Sequence, residues 1–152
     1  MKKKVKTIVV AMVFMSMFMT TLTYAADTSN QNASKMYING VLNEPDVGAM
    51  VLDDYYVMVP LRVIAEALGY YVCWGGHDQI RLYDPNGDYS VVTIGNQEFW
   101  TYGRPSMSVN APFIYQNRAM ISIWAARNIF AHFVEELDFD FERNVLVMVS
   151  TT

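Results

Sequence analysis

The clearest periodicity in the chain lies between Val59 and Gly69. There Leu61, Ile64, Ala65 and Leu68 recur at the i, i+3, i+4, i+7 spacing of one helix face. Arg62 and Glu66 stand an i, i+4 step apart on another face, as an ion pair on a wet surface would. Pro60 suits the first helical turn, where a missing N–H costs nothing, and Gly69 suits the left-handed position that closes a helix. The pattern predicts a helix over Pro60–Leu68. So short a helix is marginal in water, so its apolar stripe must dock on a partner surface.

The period then changes from helical to alternating. Val72 and Trp74 share one face of a strand, a Gly75-Gly76-His77-Asp78 turn follows, and Ile80 and Leu82 share one face of the return strand. Such a hairpin can cover the helix stripe. Upstream, Met36–Ile38 reads as a strand, Asn39-Gly40 as a tight turn and Val41–Asn43 as the return strand. Ala49–Leu52, an Asp53-Asp54 turn and Tyr55–Val59 lead into the helix. Asp84–Asp88 spaces its oxygens like a calcium loop, but the glycine falls at the wrong position and Gly95 stands where the closing Glu belongs, so it reads as a plain turn. Tyr89–Ile94, Gln97–Tyr102 and Met107–Val109 are predicted strands, joined at Gly95-Asn96 and Gly103-Arg104-Pro105.

The same order then recurs. Tyr102-Gly103 stands where Asn39-Gly40 stood, Tyr115–Ser122 repeats the approach to the helix, and Ile123–Ala131 is a second helix with Ser122 as N-cap in place of Pro60. His132–Val134 and Val145–Val149 form the matching hairpin strands, with an insertion near Glu135–Asn144. The fold expected is α+β: two tandem degenerate repeats, about 36–83 and 89–150, sharing one antiparallel sheet with both helices packed on it. In the second repeat Trp124 takes the Arg62 place, Asn128 the Glu66 place, Ala131 the Gly69 place and Glu136 the Trp74 place.

The Val-Pro-Leu-Arg-x-Ile-Ala-Glu-Ala-Leu-Gly run from Val59 to Gly69, the Val72-x-Trp74 that follows and the Tyr37-Ile38-Asn39-Gly40 that precedes resemble the copper amine oxidase N-terminal (stalk) domain family of secreted bacterial proteins. Gly40, Pro60, Arg62, Glu66, Gly69 and Trp74 are the motif positions, and the resemblance implies structural roles for them. It spans about residues 36–149. It also implies an appendage remote from any oxidase centre, hence a non-enzymatic module at the cell envelope that binds wall glycan or a protein partner.

Apolar residues make up 53% of the chain, but part of that belongs to a leader. Met1–Lys6 is basic, Thr7–Met19 is apolar and Thr20–Ala25 ends in small residues, the layout of a secretory signal cut after Ala25. The run falls short of the ~20 residues a bilayer span needs, which disfavours retention as an anchor. Residues 26–35 are small and polar, a linker. Loss of four leader lysines reduces the basic residues from 11 to 7 against 15 acidic ones, a net charge of −8. Nucleic acid is thereby an unsuitable partner. The single cysteine, Cys73, forms no intrachain disulfide.

Candidate chemistry is sparse. The copper centre of the oxidases, as the resemblance has it, needs three histidines and a quinone-forming tyrosine within Asn-Tyr-Asp/Glu. The chain has only His77 and His132 and lacks that tripeptide, so neither metal nor cofactor is expected. Asp138, Asp140 and Glu142 alternate with Phe139 and Phe141, a strand with a wet acidic face; the acids of 135–142 are also the one place to seek a small envelope hydrolase or inhibitor. The ten tyrosines and three tryptophans exceed what one core needs. Tyr55, Tyr56, Tyr70, Trp100 and Tyr102 are the candidate binding surface, since flat rings with polar rims suit sugars and protein partners. The sequence leaves the oligomeric state open.

Overall fold

The computed structural model describes residues 34–151. The predicted leader and most of the predicted linker lie outside the described residues. Ser34 and Lys35, read as linker, are folded: Ser34 is buried and its hydroxyl donates to the Ala49 carbonyl at 3.0 Å. No helix among the described residues is long and apolar enough to cross a membrane.

In chain order the elements are β1 (Lys35–Ile38), β2 (Val41–Asn43), β3 (Met50–Leu52), β4 (Tyr56–Pro60), α1 (Leu61–Ala67), β5 (Tyr71–Gly76), β6 (Gln79–Tyr83) and β7 (Tyr89–Thr93). Then follow β8 (Glu98–Thr101), β9 (Arg104–Met107), β10 (Phe113–Tyr115), β11 (Arg118–Ser122), α2 (Ile123–Ile129), β12 (Val134–Asp140) and β13 (Val145–Ser150). Strands take up 51% of the described chain, so the α+β arrangement is weighted heavily to β. Both helices form where the period predicted them, each about half a turn shorter than the pattern allowed.

Local chemistry accounts for the turns. Asn39-Gly40, His77-Asp78, Tyr102-Gly103 and Gln116-Asn117 each carry two positive φ values, the geometry whose twist matches a two-residue hairpin. The Tyr102-Gly103 turn lies one residue earlier than the Gly103–Pro105 junction predicted, and Pro105 falls inside β9. That strand is the edge of its sheet, where proline's missing N–H breaks no ladder. At the end of α1, Gly69 (φ 78°) lets its own N–H reach the Glu66 carbonyl and the Tyr70 N–H reach the Ala65 carbonyl, a Schellman closure. Asp84 closes its turn by accepting from the Asn86 and Asp88 N–H groups at 2.8 and 2.9 Å.

The expected single shared sheet does not form. The strands divide into three sheets, ordered β12-β13-β1-β2, β10-β11-β4-β3 and β5-β6-β7-β8-β9. Thirteen strands in one open sheet would accumulate more twist than such sheets hold, and each helix turns the chain away from the strand that feeds it. Nor is every pair antiparallel. β1 runs parallel to β13, with Lys35 opposite Val145 and Ile38 opposite Met148, and the Asn39 side chain extends the union by accepting from the Ser150 N–H at 2.8 Å.

The middle sheet is the crossing point. β4 and β11, which feed the two helices, pair antiparallel with Val59 facing Ile121. α1 packs on β11 and β5, and α2 on β4, β11 and β12, so each helix leans on a strand from the other half. The main core joins Ile64, Ala65, Leu82, Ile121, Ala126, Ile129, Phe130 and Leu146 in one cluster, all of them fully buried, and a smaller cluster of Val47, Met50, Met58 and Met120 lies apart from it.

Candidate functional site

Two surfaces carry functional side chains. The first is the outer face of the five-stranded sheet. Strand alternation sends Val72, Ile80, Leu82, Val92 and Phe99 inward. Their neighbours must point out. Register places Tyr71, Tyr83 and Tyr89 in one row across β5, β6 and β7, their ring centroids 6.3 and 6.0 Å apart and their planes tilted by 36° and 38°. The next row of that face runs Cys73, Arg81, Val91, Trp100 and Pro105. Tyr71 is 68% exposed and Trp100 41%. Arg81 lies over Gly75, where an added Cβ would stand 3.0 Å from its Nε. The face is flat, aromatic and wet.

The five aromatic residues singled out from the sequence do not come together. Trp100 belongs to this face. Tyr55 and Tyr56 are exposed but sit at the β3–β4 turn, in a different sheet. Tyr70 is only 5% exposed and Tyr102 is half-buried, so as surface residues they are corrected: both hydroxyls donate to the Ile129 carbonyl at the end of α2, at 3.3 and 3.0 Å, and stand 3.3 Å from each other. Tyr70 also packs edge-on against Phe130 and Phe133. Burial holds the Tyr70 hydroxyl well above the usual tyrosine range and raises that of Tyr102. The reason is positional. The Schellman turn at Gly69 aims Tyr70 across at α2 before β5 begins. Tyr71 and Tyr89, one step of alternation away, are the rings the pattern turns outward.

The second surface is built from the Val59–Trp74 motif. Trp74 was expected to cover α1 beside Val72, and it does share that face, but β5 is an edge strand with a bulge after Trp74, so the indole overhangs the helix and is 56% exposed. It walls a cleft of about 130 Å³ with Pro60, Val63 and, from β10, Ile114. Arg62 and Arg118 stand on its rim and also line a shallower trough of about 460 Å³ that holds Glu44, Asp46 and Glu66. Arg62 pairs with Glu66 at 3.3 Å, and Arg118 reaches Asp46 through both Nε and Nη2. All four side chains are at least 41% exposed, which limits each pair to under about 1 kcal/mol. Arg62, held by a single contact, can therefore change partners at little cost, while the forked Arg118–Asp46 pair is the firmer of the two.

A family model described as copper amine oxidase N-terminal domain matches residues 37–137, two thirds of the chain. The chain belongs to that family. No curated protein and no solved structure matches it. The matched span opens in β1 and ends within β12, and the parallel partner of β1, strand β13, lies just beyond it.

The copper amine oxidase N-terminal domain is in general a non-catalytic stalk. The residues present do not fit a copper centre. His77 sits in the β5–β6 turn, whereas His132 follows α2 and packs on the Tyr102 ring at 4.4 Å. No group of three or more His, Cys, Asp or Glu able to hold a metal occurs among the described residues. Two acids of the run are engaged locally: Asp138 pairs with Arg127 at 2.7 Å, and Asp140 accepts from the Glu142 and Arg143 N–H groups. Phe139 points into the core, as the alternation predicts, with Leu137 beside it, but Phe141, which the same alternation puts on the core face, lies past the strand end and is exposed.

Proposed function

We propose that the chain is an exported, non-catalytic stalk module that binds wall glycan at the cell envelope. The observation that carries this reading is the tyrosine row with Trp100 on the outer face of the five-stranded sheet. Cross-strand contacts among the tyrosines support the sheet but leave much of the Tyr71 and Trp100 rings open to water, and flat aromatic faces bind sugar rings by stacking their C–H faces. The basic, apolar, small-residue order of Met1–Ala25 supports export with cleavage after Ala25. The net charge of −8 that cleavage leaves fits a neutral ligand better than an anionic polymer.

The scaffold of this module is a pair of degenerate repeats that trade hairpins. Arg62 and Trp124 are each the second residue of a seven-residue helix. Val59 and Ile121, one repeat offset apart, face each other where β4 meets β11. The β1–β2 hairpin of the first half joins the sheet of β12–β13, and the β8–β9 hairpin of the second joins, through β7, the sheet of β5–β6. Such an exchange locks the halves into one unit.

Pull-down on purified peptidoglycan tests the glycan reading, with wild type compared against Tyr71→Ala and Trp100→Ala. Retention of the wild type and its loss in both variants is the expected result. Undiminished retention in the variants, or none in the wild type, overturns glycan as the ligand and leaves a protein partner.

A further inference from the structure

The cleft beneath Trp74 shares only Cys73 with the outer aromatic face, and its charges are sorted in a way that points to what it takes. Arg62, Val63 and Arg118 form the wall shared by the cleft and the trough. Every carboxylate at this place, from Glu44, Asp46 and Glu66, lines the trough, and none lines the cleft. The cleft lining thus includes both arginines among mostly apolar residues and no carboxylate, on a chain that is negative overall.

The donors are not exhausted. Arg62 uses one of its five N–H groups, on Glu66. Arg118 directs Nε and Nη2 at Asp46 and one Nη1 donor at the Asn117 carbonyl, leaving two. Two guanidiniums against the three trough carboxylates leave one negative charge locally. A single carboxylate can enter on the free donors by displacing one exposed partner, whereas a dianionic phosphate would deepen that negative excess further.

Size narrows the ligand further. A volume of about 130 Å³ admits one apolar side chain and excludes a sugar pair or a lipid tail, since small-molecule sites start near ~300 Å³. Beyond the arginines, Asn43 and the trough acids offer acceptors to amide N–H groups. We propose that this cleft captures the C-terminal residue of a peptide, its apolar side chain between Trp74 and Ile114 and its carboxylate on Arg62 and Arg118.

The probe is N-acetyl-Gly-Gly-Leu with a free carboxylate, titrated into the full chain and followed by proton–nitrogen correlation spectra. Its C-terminal amide and plain acetate are the comparators. The expected result is saturable movement of the Trp74 indole resonance with a dissociation constant of about 1 mM or tighter, weakened about tenfold or more for the amide and in Arg62→Gln/Arg118→Gln. Those arginines are exposed, so the remaining spectrum of the variant should match the wild type and show that the fold is intact. Equal binding of acid and amide overturns the proposal, as does acetate moving Trp74 as strongly as the peptide, which would mean a bare anion site. Movement at Trp100 instead of Trp74, no movement at all, or a Trp74 shift that follows protein concentration without peptide, the mark of a second copy in the cleft, overturns it equally.

Discussion

α1 and α2 have the same length, follow strands of the same sheet and bury comparable stripes, yet their ends are finished in opposite ways. α1 begins at Pro60 with no side-chain cap and closes on its own backbone at Gly69. α2 begins at Ser122, whose hydroxyl accepts from the Ala125 N–H at 3.0 Å and contacts the Ser108 hydroxyl at 2.6 Å, and it ends on the two tyrosine hydroxyls at Ile129. The second helical residue differs as well. Arg62 looks over the cleft, while Trp124 packs edge-on against Phe99 at 6.0 Å. α1 is closed by its own chain and keeps an accessible edge. α2 is completed by side chains from outside it, Tyr70 among them from the first half, so its surroundings serve its stability.

That contrast is broken if the helices belong to separable units. Ile64→Ala in α1 should cost about 2–5 kcal/mol and Phe130→Ala at the end of α2 about 3–5 kcal/mol, because each opens a cavity in the same buried cluster. Urea denaturation should show one transition in both variants, shifted to lower denaturant. Two separate transitions would mean that the halves fold apart.

A smaller effect sharpens the difference at the helix ends. Tyr70→Phe removes one of two donors to the Ile129 carbonyl and should cost about 1 kcal/mol at neutral pH. Its pH dependence has a definite sign. In the unfolded chain the hydroxyl ionises near its ordinary value of 10.0, whereas in the folded protein burial holds it protonated well above that. The contribution is complete below pH 10 and falls away as pH rises beyond it, because only the unfolded state then sheds the proton. Stability of the wild type should decline more steeply between pH 9 and 11 than that of Tyr70→Phe, as read by denaturation at fixed ionic strength. Parallel curves would remove Tyr70 as the source.

The smallest effect belongs to the open end. Arg62→Gln should change stability by no more than about 0.5 kcal/mol, since its partner Glu66 is as exposed as it is. A loss well above that in thermal unfolding would make Arg62 a structural residue and erase the contrast with Trp124.

What could be read from the chain divides along range. Both helices, the Ser122 cap, the left-handed Gly69 and the Asn39-Gly40 turn depend on neighbours a few residues away, and the pattern holds that information. The Phe139 core position follows from alternation, whereas Phe141, placed in the core by the same alternation, is exposed because the strand ends at Asp140. Three sheets in place of one did not follow, because which strand pairs with which depends on contacts more than a hundred residues apart, such as Asn39 with Ser150. Tyr70 and Tyr102 were placed outside because aromatic excess says that some rings face water without saying which. The row of Tyr71, Tyr83 and Tyr89 becomes visible only once β5, β6 and β7 are aligned in register. Trp74 was legible as to face but not exposure, which depends on β5 lying at an edge. The cleft was invisible, since Ile114 and Arg118 reach it from a hairpin some forty residues further along.

The parallel union of β1 with β13 gives the domain a directional resistance to force. A load pulling residue 35 one way and residue 150 the other runs along both strands, so the rungs from Lys35–Val145 to Ile38–Met148 and the Asn39 link bear it together in shear and must rupture at once rather than unzip singly. Traction across the hairpin turns meets no such arrangement. A domain built this way resists best when drawn taut from those two ends.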